Sequence, residues 1–203
     1  MKHLFLYNGI FSVLGLSLLS IPCCAATPEK PAVSSAAVMS PTTLSGSAGE
    51  WSYRCLFPSS APNSAPTACI AEQRLMVQDA QKQVVPLGGV ILARATEDPV
   101  KAPLTGRPWR LTLMTPLGLS LQHNVQLVVD KAAPLTLSWQ SCVSAGCLST
   151  LDLTPEQVAT LRHAQSGHIE VNKLAGGILT INFTLNGADA ALKTLEDWMT
   201  RSR

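Results

Sequence analysis

The chain has 203 residues, of which 14% are charged and 46% hydrophobic, and its formal net charge is +2. The charged fraction is well under the roughly 25% usual for soluble domains, and without clustered Lys and Arg there is no electrostatic footprint for a nucleic-acid partner. No acidic run is present to hold calcium, and polarity carried by Ser, Thr, Asn and Gln suits an exported β protein better than a helical one.

The N-terminus opens with the basic Met1-Lys2-His3, continues through an apolar run from Leu4 to Ile21, breaks at Pro22 and ends in the small residues Cys23-Cys24-Ala25-Ala26. That order is the one a secretory signal peptide shows, here over residues 1–26 with cleavage after Ala25 or Ala26. A retained membrane anchor is the rival reading, since a spanning helix needs about 20 apolar residues. Pro22 and the two cysteines favour cleavage. A lipid anchor fits less well, because Cys23 follows Pro22 where a small residue is wanted. No later apolar stretch is long enough to span a bilayer, so the mature chain is expected without a transmembrane segment, in the bacterial periplasm or at the cell surface.

Residues 27–50 are rich in Ala, Ser, Pro, Thr and Gly without apolar periodicity and read as a flexible leader, with the folded domain over 51–203. Short apolar or alternating runs then follow closely: Trp51–Leu56, Cys69–Val77, Val84–Arg94 (kinked at Gly88-Gly89), Trp109–Thr115, Leu119–Gln122, Val125–Val129 and Leu135–Trp139. His123-Asn124 reads as a tight hairpin turn. Thr154-Pro155-Glu156-Gln157 is a helix start, with a Thr N-cap, Pro where no amide partner is needed and a Gln that can reach back. Its helix is expected to end near Ser166-Gly167. Ile169–Leu174 and Ile178–Leu185 form a late hairpin, the second strand alternating polar and apolar faces. A second helix, from Asn186-Gly187, sets Ala188, Ala191, Leu192, Leu195 and Met199 at helical spacing. The predicted class is mostly β, a single antiparallel β-sandwich or jelly-roll-like domain with two short helices, the second C-terminal.

Four cysteines remain after the signal: Cys55, Cys69, Cys142 and Cys147. Export places them in an oxidising space, where they end as disulfides. Three connectivities are possible. Local pairing, Cys55 with Cys69 and Cys142 with Cys147, is the expectation, and crossed pairs stay open. A bridge closing about 15 residues is worth about 3 kcal/mol in the loop-entropy account. Neither pair has the C-x-x-C spacing of a zinc knuckle, so no metal site is expected.

The order of Trp51-Ser-Tyr-Arg-Cys55, Cys69, Pro116-Leu-Gly-Leu-Ser-Leu121, Val125-Gln-Leu-Val-Val-Asp130, Cys142-Val-Ser-Ala-Gly-Cys147 and Phe183-Thr-Leu-Asn-Gly187-Ala-Asp-Ala190 resembles the invasion-associated locus B (IalB) family of exported bacterial proteins. The likeness runs from Trp51 to Trp198. One position departs: Ala188 stands where members commonly carry an aromatic after the closing Gly. The resemblance implies a periplasmic or surface-associated β domain, linked in some members to host-cell invasion, and it brings no catalytic residues.

The residues themselves supply no G-x-S-x-G, H-E-x-x-H, phosphate-loop or dinucleotide motif. His123, His163 and His168 fall at a turn and around a helix end. Asp130 and Asp152 read as turn caps, and Glu196 and Asp197 as solvent-facing. Trp51 and Trp139 sit where an indole packs against a disulfide, and Trp109, after Arg107-Pro108, reads as half exposed. No catalytic residue and no cofactor is therefore expected. The leading reading is an exported binding or interaction protein whose partner is a protein of the host or of the bacterial envelope. A periplasmic envelope structural or assembly factor is the alternative, and a periplasmic enzyme with an unrecognised site comes third.

Overall fold

The computed structural model of the chain describes residues 42–58, 65–78, 80–97 and 101–200, and the expected signal segment 1–26 lies outside them. The strands are β1 (Thr42–Ala48), β2 (Trp51–Phe57), β3 (Ala68–Gln78), β4 (Val84–Ala95), β5 (Arg110–Thr115), β6 (Val125–Val129), β7 (Leu135–Val143), β8 (Gly146–Asp152), β9 (Ser166–Asn172) and β10 (Ile178–Thr184). Two α-helices, α1 (Pro155–His163) and α2 (Ala188–Thr200), join them among the described residues. The fold is mostly β, as the sequence predicts. All neighbours pair antiparallel, in the order β1-β2-β3-β4-β5-β8-β7-β6-β9-β10. Among the described residues the expected sandwich takes the form of one ten-stranded ladder. β7 belongs to both halves: Leu135 and Leu137 pair with β6, while Ser138 to Val143 pair with β8 across an irregularity between Trp139 and Ser141.

Three expectations are corrected. The stretch read as a leader, 27–50, contributes β1, so the ladder begins at Thr42 and not at Trp51. Its Thr, Ser and Gly residues lack an apolar face because β1 is an edge strand, mostly exposed, with Leu44 packed against the core. Leu119–Gln122 is not a strand. Gly118 turns the chain with φ +86°, and only Leu119 bridges to Lys173, so His123-Asn124 is not a hairpin turn. Finally, α1 stops at His163, short of Ser166-Gly167, because the following residues extend into β9.

Local chemistry explains the parts that were legible. Thr154 Oγ1 accepts from Gln157 N at 3.3 Å while Gln157 Oε1 accepts from Thr154 N at 2.9 Å, a reciprocal cap worth about 1 kcal/mol. β10 exposes Ile178, Thr180 and Asn182 and buries Ile181 and Phe183, which is the alternation of a half-buried strand. Along α2, Ala188, Ala191, Leu192, Leu195 and Met199 are buried against β1, β2, β3 and α1. Each large side chain so buried contributes about 1.5–3 kcal/mol, which outweighs helix propensity in fixing this element. Ala188 is fully buried at the start of α2, which leaves no room for an aromatic there.

The ends of the ladder come together at α2. Trp51 Nε1 donates to the Thr184 carbonyl at 3.1 Å, linking β2 to the end of β10. One continuous core fills the interior, with Trp51, Leu92, Trp109, Leu111, Leu127 and Ile169 among its buried members.

Candidate functional site

The site starts from strand parity. Side chains alternate across a strand, so Val90, Leu92 and Arg94 share one face of β4. Val90 and Leu92 are both 1% exposed, which makes that face the core face. Arg94 continues the row beside Cys69, its register partner on β3. A cation therefore stands at the rim of the core, on the apolar side of its strand.

Trp109, placed by Pro108 just before β5, lies under that cation with its ring centroid 4.7 Å from the guanidinium carbon. The indole is 1% exposed, so the half-exposed Trp109 expected from sequence is corrected. Cation–π contact of this kind is worth about 1 kcal/mol or more when partly desolvated. Trp109 Nε1 donates to Glu196 Oε1 at 3.3 Å. Glu196 also pairs with Arg162 Nη2 at 2.6 Å, and Arg162 Nη1 reaches Asp189 Oδ1 at 3.0 Å. Glu196 is thus not the uninvolved solvent-facing residue read from sequence. It sits on α2 beside the apolar stripe and ties α1 to the segment before β5.

Arg94, Trp109, Arg162 and Glu196, with Arg107, Pro108, Pro155 and Val158, line an open cleft of about 540 Å³. Burial pushes the Arg94 guanidinium below its ordinary value; the Glu196 carboxylate works the other way and the Arg162 cation adds to the lowering. For Arg162, burial opposes the charge but hydrogen bonds to Glu196 and Asp189 outweigh it and hold the guanidinium above its ordinary value. Arg94 Nε is buried with no hydrogen-bond acceptor among the described residues. Among the described residues no carboxylate lies within ion-pair distance of Arg94 or Arg107. Beside the cleft, Arg110 grips Asp152 with Nε–Oδ1 2.7 Å and Nη2–Oδ2 2.9 Å, which holds the Asp152 carboxyl below its ordinary range.

The residues singled out from sequence lie elsewhere. Cys55 and Cys69 are register partners on β2 and β3 and are disulfide-bonded, and Cys142 and Cys147 are partners across the β7–β8 turn and are bonded likewise. Both bridges join directly opposed residues of an antiparallel pair, where Cα atoms stand closest. Asp130 accepts from Gln165 N at 3.0 Å and from Ser166 N and Oγ at 3.1 Å, capping the entrance to β9. His123 contributes its carbonyl to Trp139 Nε1 at 2.8 Å, while His168 faces Glu170 at 3.3 Å. These histidines are spread over the surface and none lines the cleft. Among the described residues no cluster of three His, Cys, Asp or Glu is arranged to hold a metal.

A family model described as "Invasion associated locus B (IalB) protein" matches residues 51–196, which is most of the chain. The chain belongs to the IalB family. Among solved structures, the IalB domain is similar to invasion associated protein B from Bartonella henselae, at 20% identity and a TM-score of 0.58. The alignment covers 78% of this chain and 99% of that one. At that identity the likeness speaks for the fold. No curated protein matches the sequence significantly. Of the IalB residues here, the family match spans Arg94, Trp109, Arg162 and Glu196 as well as both cysteine pairs.

Proposed function

We propose that the mature protein is an exported IalB-family binding protein, acting in the periplasm or at the cell surface and contributing to invasion of a host cell by recognition and not by turnover. The observation that carries this reading is the chemistry of the cleft. Among the described residues its charged groups are the guanidiniums of Arg94, Arg107 and Arg162 and the carboxylate of Glu196. Guanidiniums keep their protons at neutral pH and donate hydrogen bonds without exchanging protons. Glu196 is committed to Arg162 and Trp109. General acid–base work needs a group poised to gain and lose a proton near the operating pH. Fixed donors around an open pocket suit recognition of an anion instead. The family's name supports the invasion part of the reading, and the disulfides, suited to an oxidising compartment, support the exported part.

The test combines cell fractionation, N-terminal sequencing and an in-frame deletion. A mature chain starting after Ala25 or Ala26, found outside the cytoplasm, together with a deletion strain that invades host cells less well, is the expected result. Protein confined to the cytoplasm, or a deletion strain with normal invasion, would overturn it.

A further inference from the structure

We propose that the cleft between β4, α1 and α2 is a binding site for a small organic monoanion, whose carboxylate is held by Arg94 and Arg107 and whose apolar body lies against Pro108, Pro155 and Val158. This rests on the binding reading above and supplies the ligand class for that site.

Charge decides the sign of the ligand. Arg162 is neutralised within the fold by Glu196 at 2.6 Å and Asp189 at 3.0 Å. Arg94 and Arg107 have no carboxylate within ion-pair distance among the described residues; Glu196 acts on Arg94, and Arg107 on Asp152, only at longer range, so three guanidiniums against one carboxylate leave the described lining net positive. Arg94 is also pre-positioned: it is clamped over the Trp109 ring, and less rotamer entropy is lost when it engages a ligand. Its Nε is buried with no acceptor among the described residues, which leaves the terminal guanidinium nitrogens to grip a ligand.

Geometry and the remaining wall decide the rest. A planar guanidinium fits a carboxylate or a phosphate in a two-pronged grip. Glu196 lines the same cleft, and its negative charge works against a phosphate dianion more than against a singly charged carboxylate. Pro108, Leu153, Pro155 and Val158 make most of the remaining wall apolar, with the Thr105 hydroxyl a further polar group, so the rest of the ligand is mainly apolar. The volume of about 540 Å³ falls inside the ~300–1,000 Å³ of small-molecule sites.

The probes are sodium benzoate, its neutral analogue benzamide and inorganic phosphate, each titrated at constant ionic strength into isotope-labelled mature protein. The indole N–H resonances provide the readout. Trp109 Nε1 borders the cleft, whereas Trp51 and Trp139 donate to Thr184 and His123 elsewhere and report on the fold. Benzoate should shift the Trp109 resonance saturably, with a dissociation constant of about 1 mM for so small a probe. Trp51 and Trp139 should stay in place, and benzamide and phosphate should bind at least about tenfold more weakly. Arg94→Gln should weaken benzoate about tenfold or more, the loss of a charged hydrogen-bond donor. Arg107→Gln, a change at an exposed position, should also weaken it and decides the matter if Arg94→Gln loses the Trp51 marker. The proposal falls if benzoate leaves Trp109 unmoved, if benzamide or phosphate binds as well, or if the folded arginine variants keep wild-type affinity. Normal export and normal dependence of invasion on the gene, alongside such a failure, would remove the ligand class and leave the binding reading standing.

Discussion

Gly187, between β10 and α2, lies against the carbonyl oxygen of Ala48 at the end of β1, so the first and last strands of the ladder are locked at one point. Its φ of +94° belongs to the left-handed region, and a Cβ there would fall on that oxygen. Gly187→Ala should therefore lose about 3 kcal/mol through strain and overpacking together. Gly118→Ala, at φ +86° with open space around it, carries the conformational strain alone and should lose about 1 kcal/mol. Urea midpoints of the two variants check the ranking. Equal losses would mean that the Ala48 contact relaxes at no cost.

The two bridges should differ in weight. Cys55–Cys69 closes a separation of 14 residues and Cys142–Cys147 one of 5. By loop entropy the first is worth about 3 kcal/mol and the second about 2. Cys55 and Cys69 are both fully buried, whereas Cys142 is exposed and Cys147 is 3% exposed. Paired Cys→Ala variants, with the oxidised protein as reference, should show the larger fall in unfolding midpoint for the β2–β3 bridge. Non-reducing peptide mapping should recover these same pairs. Crossed pairs in that map would refute the pairing.

Much of the fold could be read from sequence because it rests on local rules. The Thr154–Gln157 cap and the alternation of β10 each lie within a few residues. β1 and β8 were missed for opposite reasons. β1 is an edge of Thr, Ser and Gly with little to bury, and β8 places Ser149, fully buried, on its core face where a sequence pattern asks for an apolar residue. The cleft was not legible as a unit. Arg94, Trp109, Arg162 and Glu196 come from β4, the segment before β5, α1 and α2, and only tertiary packing brings them together. One signal was present: Arg94 follows Val90 and Leu92 with the same parity, and a cation on the apolar face of a strand calls for a partner.

Asp130 makes part of the stability pH-dependent. Backbone N–H bonds from Gln165 and then Ser166, with a lesser contribution from the Ser166 hydroxyl, hold its carboxyl below the ordinary range. A carboxyl depressed in the folded state stabilises fully above its unfolded value of about 3.9, and that stabilisation is lost as pH falls through the folded value. Asp130→Asn should accordingly be less stable than wild type at neutral pH and converge with it near pH 2 or below. A gap that persists unchanged at acid pH would assign the effect to packing.

Glu196 should couple to Arg162 across α1 and α2. Its side chain is 37% exposed and that of Arg162 19%, so solvent screening discounts the pair to about 1 kcal/mol. A double-mutant cycle of Glu196→Gln with Arg162→Met measures the coupling, and additivity would show that the pair contributes nothing. Trp109→Phe removes the indole donor but keeps the ring under Arg94. It should cost about 2–4 kcal/mol, because a hydrogen bond to a charged acceptor and part of the packing of a buried ring system are lost together.

The histidines should be dispensable, and the reason differs at each. His123 serves through its backbone carbonyl, which accepts from Trp139 Nε1 at 2.8 Å, and alanine keeps that bond. His163 is exposed in the last turn of α1, where a protonated imidazole interacts favourably with the helix dipole at a gain of only about 0.3–1 kcal/mol. His168 Nε2 lies 3.3 Å from Glu170 Oε1 on a partly exposed strand face. None lines the cleft, and a catalytic base needs both an orienting partner and a substrate within reach. Alanine at each position should leave abundance, export and host-cell invasion close to wild type. Cys142→Ala should lower the amount of exported protein through the lost bridge. A histidine variant with normal abundance and export but defective invasion would contradict recognition without turnover and direct the search to an acid–base site at that residue.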